Sequence, residues 1–262
     1  TYHVAGREWT PCNGSKARYG EMVPLKWGLA QSNNWISAWL MNQLSPAALV
    51  RLIHEFGVEN RDIHPSLALC LGPCDISVAE MVGAYTAFAR KGVRRCPLYV
   101  TRIEDSNGEV VAEFQPRVRE VISEQAACKM VTLMRGVIDS GTGRRMRFRY
   151  NLTAPMAGKT GTTNDNSDGW FVGYTPSLSF GAWVGGEERD IHFSSMAIGQ
   201  GANAALPIAA YFLKKVYADS SLGYTQNEDF DIPEGFDPCG QDDGSEEEVQ
   251  NGEPAVLDEL AN

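Results

Sequence analysis

The sequence predicts an α+β domain in which helices pack on an antiparallel sheet, and three observations predict it. The first half carries amphipathic helical periodicities bounded by capping residues. From about Ala157 the texture changes to short aromatic and β-branched runs separated by turn residues. No internal repeat interrupts this order, and helices followed by a strand meander is the pattern of helices segregated against an antiparallel sheet. With 262 residues, 43% apolar and 10% aromatic, the chain has ample material for a packed core.

The elements follow in order. Through Tyr19 the chain is rich in Gly, Pro and Asn and reads as irregular. From Pro24 a helical pattern runs through Leu25 and Leu29, breaks at Gln31-Ser32-Asn33-Asn34, and resumes at Trp35, Ile36, Trp39, Leu40 and Leu44. Ser32 is a good cap type, so two helices with the break at Ser32 fit better than one. Ser45-Pro46 opens another helix, through Leu49, Leu52, Ile53 and Phe56 to Gly57. Ser77-Val78-Ala79-Glu80 is a capping-box pattern ahead of Met81, Tyr85 and Phe88, with Gly92 as the stop. Tyr99 to Pro116 reads as a hairpin turning at Asn107-Gly108, and Ser123 to Ile138 as an amphipathic helix. After Gly141-Thr142-Gly143, the segments 157–163, 169–174 and 178–185 read as three consecutive antiparallel strands. Pro207 opens a last helix through Phe212 and Val216, and beyond Tyr224 the acidic chain reads as unstructured. The expected division is a domain over 1–225 and an acidic tail over 226–262.

The net charge of −10 belongs to that tail. It holds 13 of the 33 acidic residues and none of the 23 basic ones, leaving the body slightly basic. No basic stripe interleaved with aromatics occurs, which argues against nucleic acid as a partner. The six cysteines are Cys12, Cys70, Cys74, Cys96, Cys128 and Cys239. Cys70 and Cys74 suit either a disulfide across Gly72-Pro73 or an ordinary buried thiol beside a loop thiol. No histidine stands at ligand spacing from them, so no metal and no cofactor is expected. The first residue is Thr1, without a signal-peptide pattern, and no apolar run reaches the ~18 residues of a membrane helix. The chain reads as a soluble piece of something longer.

The chemistry gathers in two places. Lys159-Thr160-Gly161 lies at the start of the first strand of the meander, and Ser32-Asn33-Asn34 lies at the helix break upstream. Ser-x-Asn followed by Lys-Thr-Gly is the order of the second and third motifs of the serine penicillin-recognising enzymes. The match extends to Asn164-Asp165, to Asp168-Gly169-Trp170-Phe171-Val172-Gly173-Tyr174-Thr175-Pro176, to Trp183-Val184-Gly185, and to Met134-Arg135-Gly136-Val137 with Gly141-Thr142-Gly143. It also includes Glu80-Met81-Val82-Gly83-Ala84-Tyr85 with Phe88-Ala89. From about Trp9 to Tyr217 the chain resembles the transpeptidase domain of class A, bifunctional penicillin-binding proteins. The implied fold is the penicillin-binding transpeptidase and serine β-lactamase-like one, incomplete at its N-terminal side.

The resemblance implies roles. Ser32 relays a proton between the lysine beside the nucleophile and the leaving amine, and Asn34 offers an amide to the substrate peptide bond and to that lysine. Lys159 places a positive charge where a substrate or β-lactam carboxylate binds. Thr160 and Thr162 add hydroxyls for that carboxylate, Gly161 leaves room for the bound peptide, and the Thr162 N–H forms half of the oxyanion hole. Trp170 and Phe171 read as core. The family's first motif, Ser-x-x-Lys, is missing from these 262 residues, since no serine is followed three positions later by lysine.

The expected parent is therefore a membrane-anchored D,D-transpeptidase and glycosyltransferase at the periplasmic side of the cell envelope. Its substrates are peptidoglycan stem peptides and lipid II-derived glycan strands, and β-lactam antibiotics are its inhibitors. The chain alone is expected to be inactive. Alternatives are a D,D-carboxypeptidase, a monofunctional transpeptidase or a β-lactam sensor of the same fold, or a regulatory cell-wall module without catalysis. The tail reads as a solvated end or as a contact for basic envelope partners.

Overall fold

A hairpin opens the chain where an irregular segment was expected. Strand β1 (Tyr2–Val4) pairs antiparallel with β2 (Arg7–Trp9), three residues each. The computed structural model describes residues 1–238 other than Ala5 and Arg189. Helices α1 (Leu25–Ala30) and α2 (Asn34–Gln43) follow, with the break falling at residues 31–33. The cap of α2 is Asn33, one residue later than expected: its Oδ1 accepts the Ile36 N–H at 3.1 Å. Ser32 instead takes a left-handed conformation, φ 55°.

Helix α3 (Pro46–Glu55) starts as its sequence requires, with the Ser45 hydroxyl accepting the Ala48 N–H and Pro46 in the first turn. Helix α4 (Val78–Ala89) carries the full capping box between Ser77 and Glu80. Hydrogen bonds from the Ser77 hydroxyl, then from the Glu59 N–H, hold the Glu80 carboxyl below its usual range.

A small β lobe follows. Strand β3 (Val93–Arg95) precedes β4 (Arg102–Glu104), β5 (Val110–Glu113) and β6 (Val118–Glu120), with β4 paired to β5 and β3 to β6. The β4–β5 turn has three residues rather than two. The Asp105 carbonyl accepts the Gly108 N–H at 3.1 Å, and Gly108 is left-handed while Asn107 is not. The Asp105 side chain accepts the N–H groups of Asn107 and Glu109, which fixes the loop.

Helix α5 (Glu124–Asp139), capped by Ser123, leads to the short α6 (Arg145–Phe148) and then to the main sheet. The sheet is the expected meander, β7 (Ala157–Thr162), β8 (Asp168–Tyr174) and β9 (Ser179–Gly185), in the order β7-β8-β9. Two short turns of helix, α7 (Met196–Gly199) and α8 (Gly201–Ala204), precede α9 (Leu206–Ala218). With helices covering both faces of β8, the architecture is α+β.

Alternation along the strands separates the two cores. Phe171, Phe180 and Ala182 pack with Leu206, Ala209, Ala210 and Leu213 of α9, whereas Ala157 and Tyr174 pack with Val131 and Met134 of α5. Phe88 of α4 stacks on Tyr174 and Tyr85 meets it edge-on, and burial pushes the Tyr85 hydroxyl up to about 12. A third cluster joins Met41, Val58, Ile63 and Leu69, with Cys70 and Cys74 against it. Both of these cysteines are free thiols, as are Cys12, Cys96 and Cys128, and burial raises the Cys70 and Cys74 thiols. Cys239 lies outside the described residues.

The tail departs from expectation at its beginning. Gln226 Oε1 accepts the N–H groups of Thr153 and Ala154, and Phe230 packs, 9% exposed, edge-on to Tyr174. Asp229 pairs with Arg135, whose guanidinium lies over the Phe230 ring, and Asp231 pairs with Lys91. Residues 226–232 thus strap the α5 side of the sheet, so packing continues past the boundary expected at 225. The rest of the expected tail, beyond 238, lies outside the described residues.

Candidate active site

The two motifs, 127 positions apart, meet at one contact. Lys159 Nζ donates to Ser32 Oγ at 2.7 Å and to the Thr160 carbonyl at 2.8 Å. Strand alternation explains how the lysine gets there. In the β7–β8 register Lys159 sits opposite Val172, and Ala157 opposite Tyr174, so Lys159 shares the sheet face that α5 covers. Helix α1 packs on α5, which brings the end of α1 and its break over that face.

Ser32 reaches Lys159 because the break is left-handed. The Ser32 N–H goes to the Leu29 carbonyl and the Asn33 N–H to the Gly28 carbonyl, a tight closure of α1. A residue with φ near +55° costs roughly 1 kcal/mol or more unless glycine occupies it, and it persists where its surroundings over-determine it. This is the physical basis of the one-residue offset in the cap. Asn33 serves the helix, leaving the Ser32 hydroxyl to the lysine.

Lys159 is partly buried, and burial alone lowers its ammonium to about 8. At neutral pH it therefore remains mostly cationic, by about ten to one. Ser32 accepts from the lysine, so its own O–H stays available to a third group. This pair can hold an anion at the positive end and pass a proton at the hydroxyl.

The other expected residues divide. Asn34 does not hydrogen-bond Lys159. Its Nδ2 donates to the Cys12 carbonyl at 2.5 Å, and its N–H donates to Asn13 Oδ1 at 2.7 Å, so it faces the opening segment. Thr160 and Thr162 lie on the sheet face opposite Lys159. Thr160 is 8% exposed, and its hydroxyl bonds the Thr142 hydroxyl at 2.6 Å. The Thr162 hydroxyl accepts the Gly201 N–H at 3.0 Å, which leaves its proton free to donate.

Gly161 sits opposite Trp170, and a Cβ there would come 3.0 Å from the Trp170 Cβ, so crowding within the sheet already demands a small residue. Phe171 is fully buried, as its reading as core requires. Trp170 is partly buried, on the Lys159 face.

Four residues around the site carry geometry that local sequence did not announce. Asn13 and Cys12 orient Asn34. Gly201 presses on the sheet so closely that a Cβ would lie 2.2 Å from the Gly161 carbonyl and 2.3 Å from that of Trp170. Thr142 reaches Thr160. The glycines of Gly141-Thr142-Gly143 and of Gly199-Gln200-Gly201 were the available signals, since glycines outside turns mark close backbone approach. Among the described residues no cluster of three or more metal-ligating side chains occurs.

Known proteins resemble this chain in sequence and in fold. The family described as "Penicillin binding protein transpeptidase domain" matches residues 1–185. Penicillin-binding protein 1A of Aquifex aeolicus is 32% identical over 87% of the chain, which covers 30% of that protein. The chain thus spans about a third of the length of such curated relatives. Among solved structures, penicillin-binding protein 1A from Haemophilus influenzae superposes with a TM-score of 0.75 over 82% of this chain and 37% of that one, at 22% identity. PonA1 from Mycobacterium tuberculosis, in complex with penicillin V, gives 0.65 over 82% and 61%, at 26% identity.

Proposed function

Because the chain belongs to the penicillin-binding protein transpeptidase family, we propose that it supplies the Ser-x-Asn and Lys-Thr-Gly half of a peptidoglycan D,D-transpeptidase that works through a serine acyl-enzyme. The observation that carries this reading is the 2.7 Å contact between Lys159 Nζ and Ser32 Oγ. It joins a cation to a hydroxyl whose proton is still free.

In this reading the nucleophile comes from a Ser-x-x-Lys segment, which these 262 residues do not contain. Its oxygen bonds to the carbonyl carbon of the penultimate D-Ala, the C–N bond to the terminal D-Ala breaks, and the leaving amine gains a proton through Ser32. An amine of a second stem peptide then attacks the acyl-enzyme and releases the serine. Lys159 holds the terminal carboxylate by charge from one face of β7, and because β7 is the edge strand of the sheet, the free proton of the Thr162 hydroxyl reaches a carboxylate lying along that edge from the other face. The Thr160 hydroxyl contributes through its pair with Thr142. The Thr162 N–H is one half of the oxyanion hole, and Asn34 steers the substrate amide once it exchanges the Cys12 carbonyl for it.

The resemblance to class A proteins supports a parent that is also a glycosyltransferase acting on lipid II-derived strands, anchored in the cell envelope on the periplasmic side. Among the described residues no helix is long and apolar enough to cross a membrane. β-Lactams are the expected inhibitors, through the same carboxylate site.

Fluorescent penicillin tests this. The 262-residue chain alone takes no covalent label on a denaturing gel. The longer polypeptide that contains it is labelled outside these residues, and K159A slows labelling at least 100-fold. Label on a serine within this chain, or full-rate labelling of K159A, sinks the proposal.

A further inference from the structure

The loop after α5 touches both halves of the site at once. The Thr142 N–H donates to the Ala30 carbonyl at 3.0 Å, and Gln31 Nε2 donates to the Ser140 carbonyl at 3.2 Å. Ala30 is the last residue of α1, and its carbonyl is one of the end groups that no turn of its own helix satisfies. Between these bonds Gly141 is in backbone contact with the same residue: a Cβ would stand 2.2 Å from the Ala30 carbonyl oxygen and 2.8 Å from Val137 Cα. From the same residue that holds Ala30, the Thr142 hydroxyl crosses the outer edge of β7 to the Thr160 hydroxyl at 2.6 Å. One side of this bridge is two residues from Ser32 and the other is one residue from Lys159.

We propose that Thr142 is a positioning residue for the transfer reaction, bracing the left-handed break that carries Ser32 against the strand that carries Lys159 so that the two stay in hydrogen-bonding contact. The inference rests on the transpeptidase reading and deepens it. Nothing else among the described hydrogen bonds ties the α1 break to β7 except the Lys159–Ser32 contact itself. A break held only by its own catalytic pair loses its register whenever a proton or a substrate changes that pair. The brace makes the distance independent of the chemistry, which is what preorganisation requires. Thr142 touches no reacting atom and acts only through Ala30 and Thr160.

The test reads the Lys159 amine in the 262-residue chain. Competitive acylation across pH 6–11, followed by peptide mass spectrometry, gives its titration in wild type, T142V and T142S. T142V keeps the main-chain bond to Ala30 and removes the hydroxyl arm. T142S keeps both.

Wild type is expected to titrate near 8. T142V, with the lysine released to water, shifts at least one unit upward, so neutral amine and labelling at pH 7 fall about tenfold. T142S matches wild type. If wild type titrates near 8 and T142V does too, the brace is refuted while the site reading stands. If T142S shifts with T142V, general damage explains both and the brace is again refuted. Wild type titrating near the ordinary lysine value overturns the site reading along with it. Should T142V lose its folded circular dichroism, T142A is read by the same criteria.

Discussion

Replacing Lys159 by methionine tests the central contact through stability alone. The lysine pays for its position in desolvation, which brings its ammonium from 10.5 to about 8. A gap of about 2.5 units corresponds to about 3 kcal/mol of penalty on the charged form in the folded state. The sign follows from proton counting. Below pH 8 both states are protonated and the penalty is present in full. Between pH 8 and 10.5 the unfolded chain still binds the proton that the folded chain has released, so stability rises with pH. Above 10.5 both states are neutral and the penalty is gone.

Methionine fills the same space without charge, but it loses the bonds to Ser32 and to the Thr160 carbonyl, about 1 kcal/mol each. At pH 7 the variant is therefore about 1 kcal/mol more stable than wild type. By pH 10.5 it is about 2 kcal/mol less stable, a swing of about 3 kcal/mol. The raised hydroxyls of Tyr85 and Tyr174 act in the opposite sense above about pH 10, since only the unfolded chain ionises there, and they cancel between the two proteins. Urea unfolding at half-unit steps of pH, followed by tryptophan fluorescence, measures the difference. Two stability curves that stay parallel from pH 7 to 10.5 would refute the buried-charge reasoning.

Other outcomes follow from the packing. G141A forces a methyl group onto the Ala30 carbonyl and Val137 Cα, neither of which can turn aside, and is expected to lower stability by about 2 kcal/mol or more in the same assay. F230A empties the ring site against Tyr174 and Arg135 and should cost about 3 kcal/mol, with new proteolytic cuts confined to 226–238. An unchanged digest would mean that the strap is not held by that ring. Truncation after Tyr224 should reproduce the F230A loss, and 0.5 M salt should weaken the wild-type strap, because the Asp229 and Asp231 pairs are exposed.

Much of this was legible along the chain where the determinants are local. Ser45-Pro46, Ser77 with Glu80, and Ser123 cap the helices they precede, because a cap needs only a side chain and the N–H two or three residues on. The three-stranded meander was legible from its short aromatic and β-branched runs with turn residues between them. Ser32 was placed at the break by the polar run around it, but its role as cap passed to Asn33, a choice decided by a lysine far down the chain. The β3–β6 pair escaped because three-residue strands with 22 residues between them carry no periodicity. The docking of 226–232 was hidden by composition. Read at single-residue scale, Asp229-Phe230-Asp231-Ile232 alternates charged and apolar, while the surrounding acidic residues average that pattern away. Thr160, Thr162 and Lys159 are neighbours in sequence, yet pleating sends the threonines to the face opposite the lysine.

The route of the strap has a mechanical consequence. After α9 the chain doubles back to the α5 side of the sheet, so a pull applied through its C-terminal end does not act on α9 first. It arrives at Asp231 and Phe230, where the attachments stand one behind another: Lys91, then Arg135 with Tyr174, then Thr153 and Ala154 through Gln226. Bonds loaded in series give way one at a time, at low force, like a zip rather than a bolt. The segment is thus a yielding length that takes up slack before tension reaches β8 and the lysine on the strand beside it.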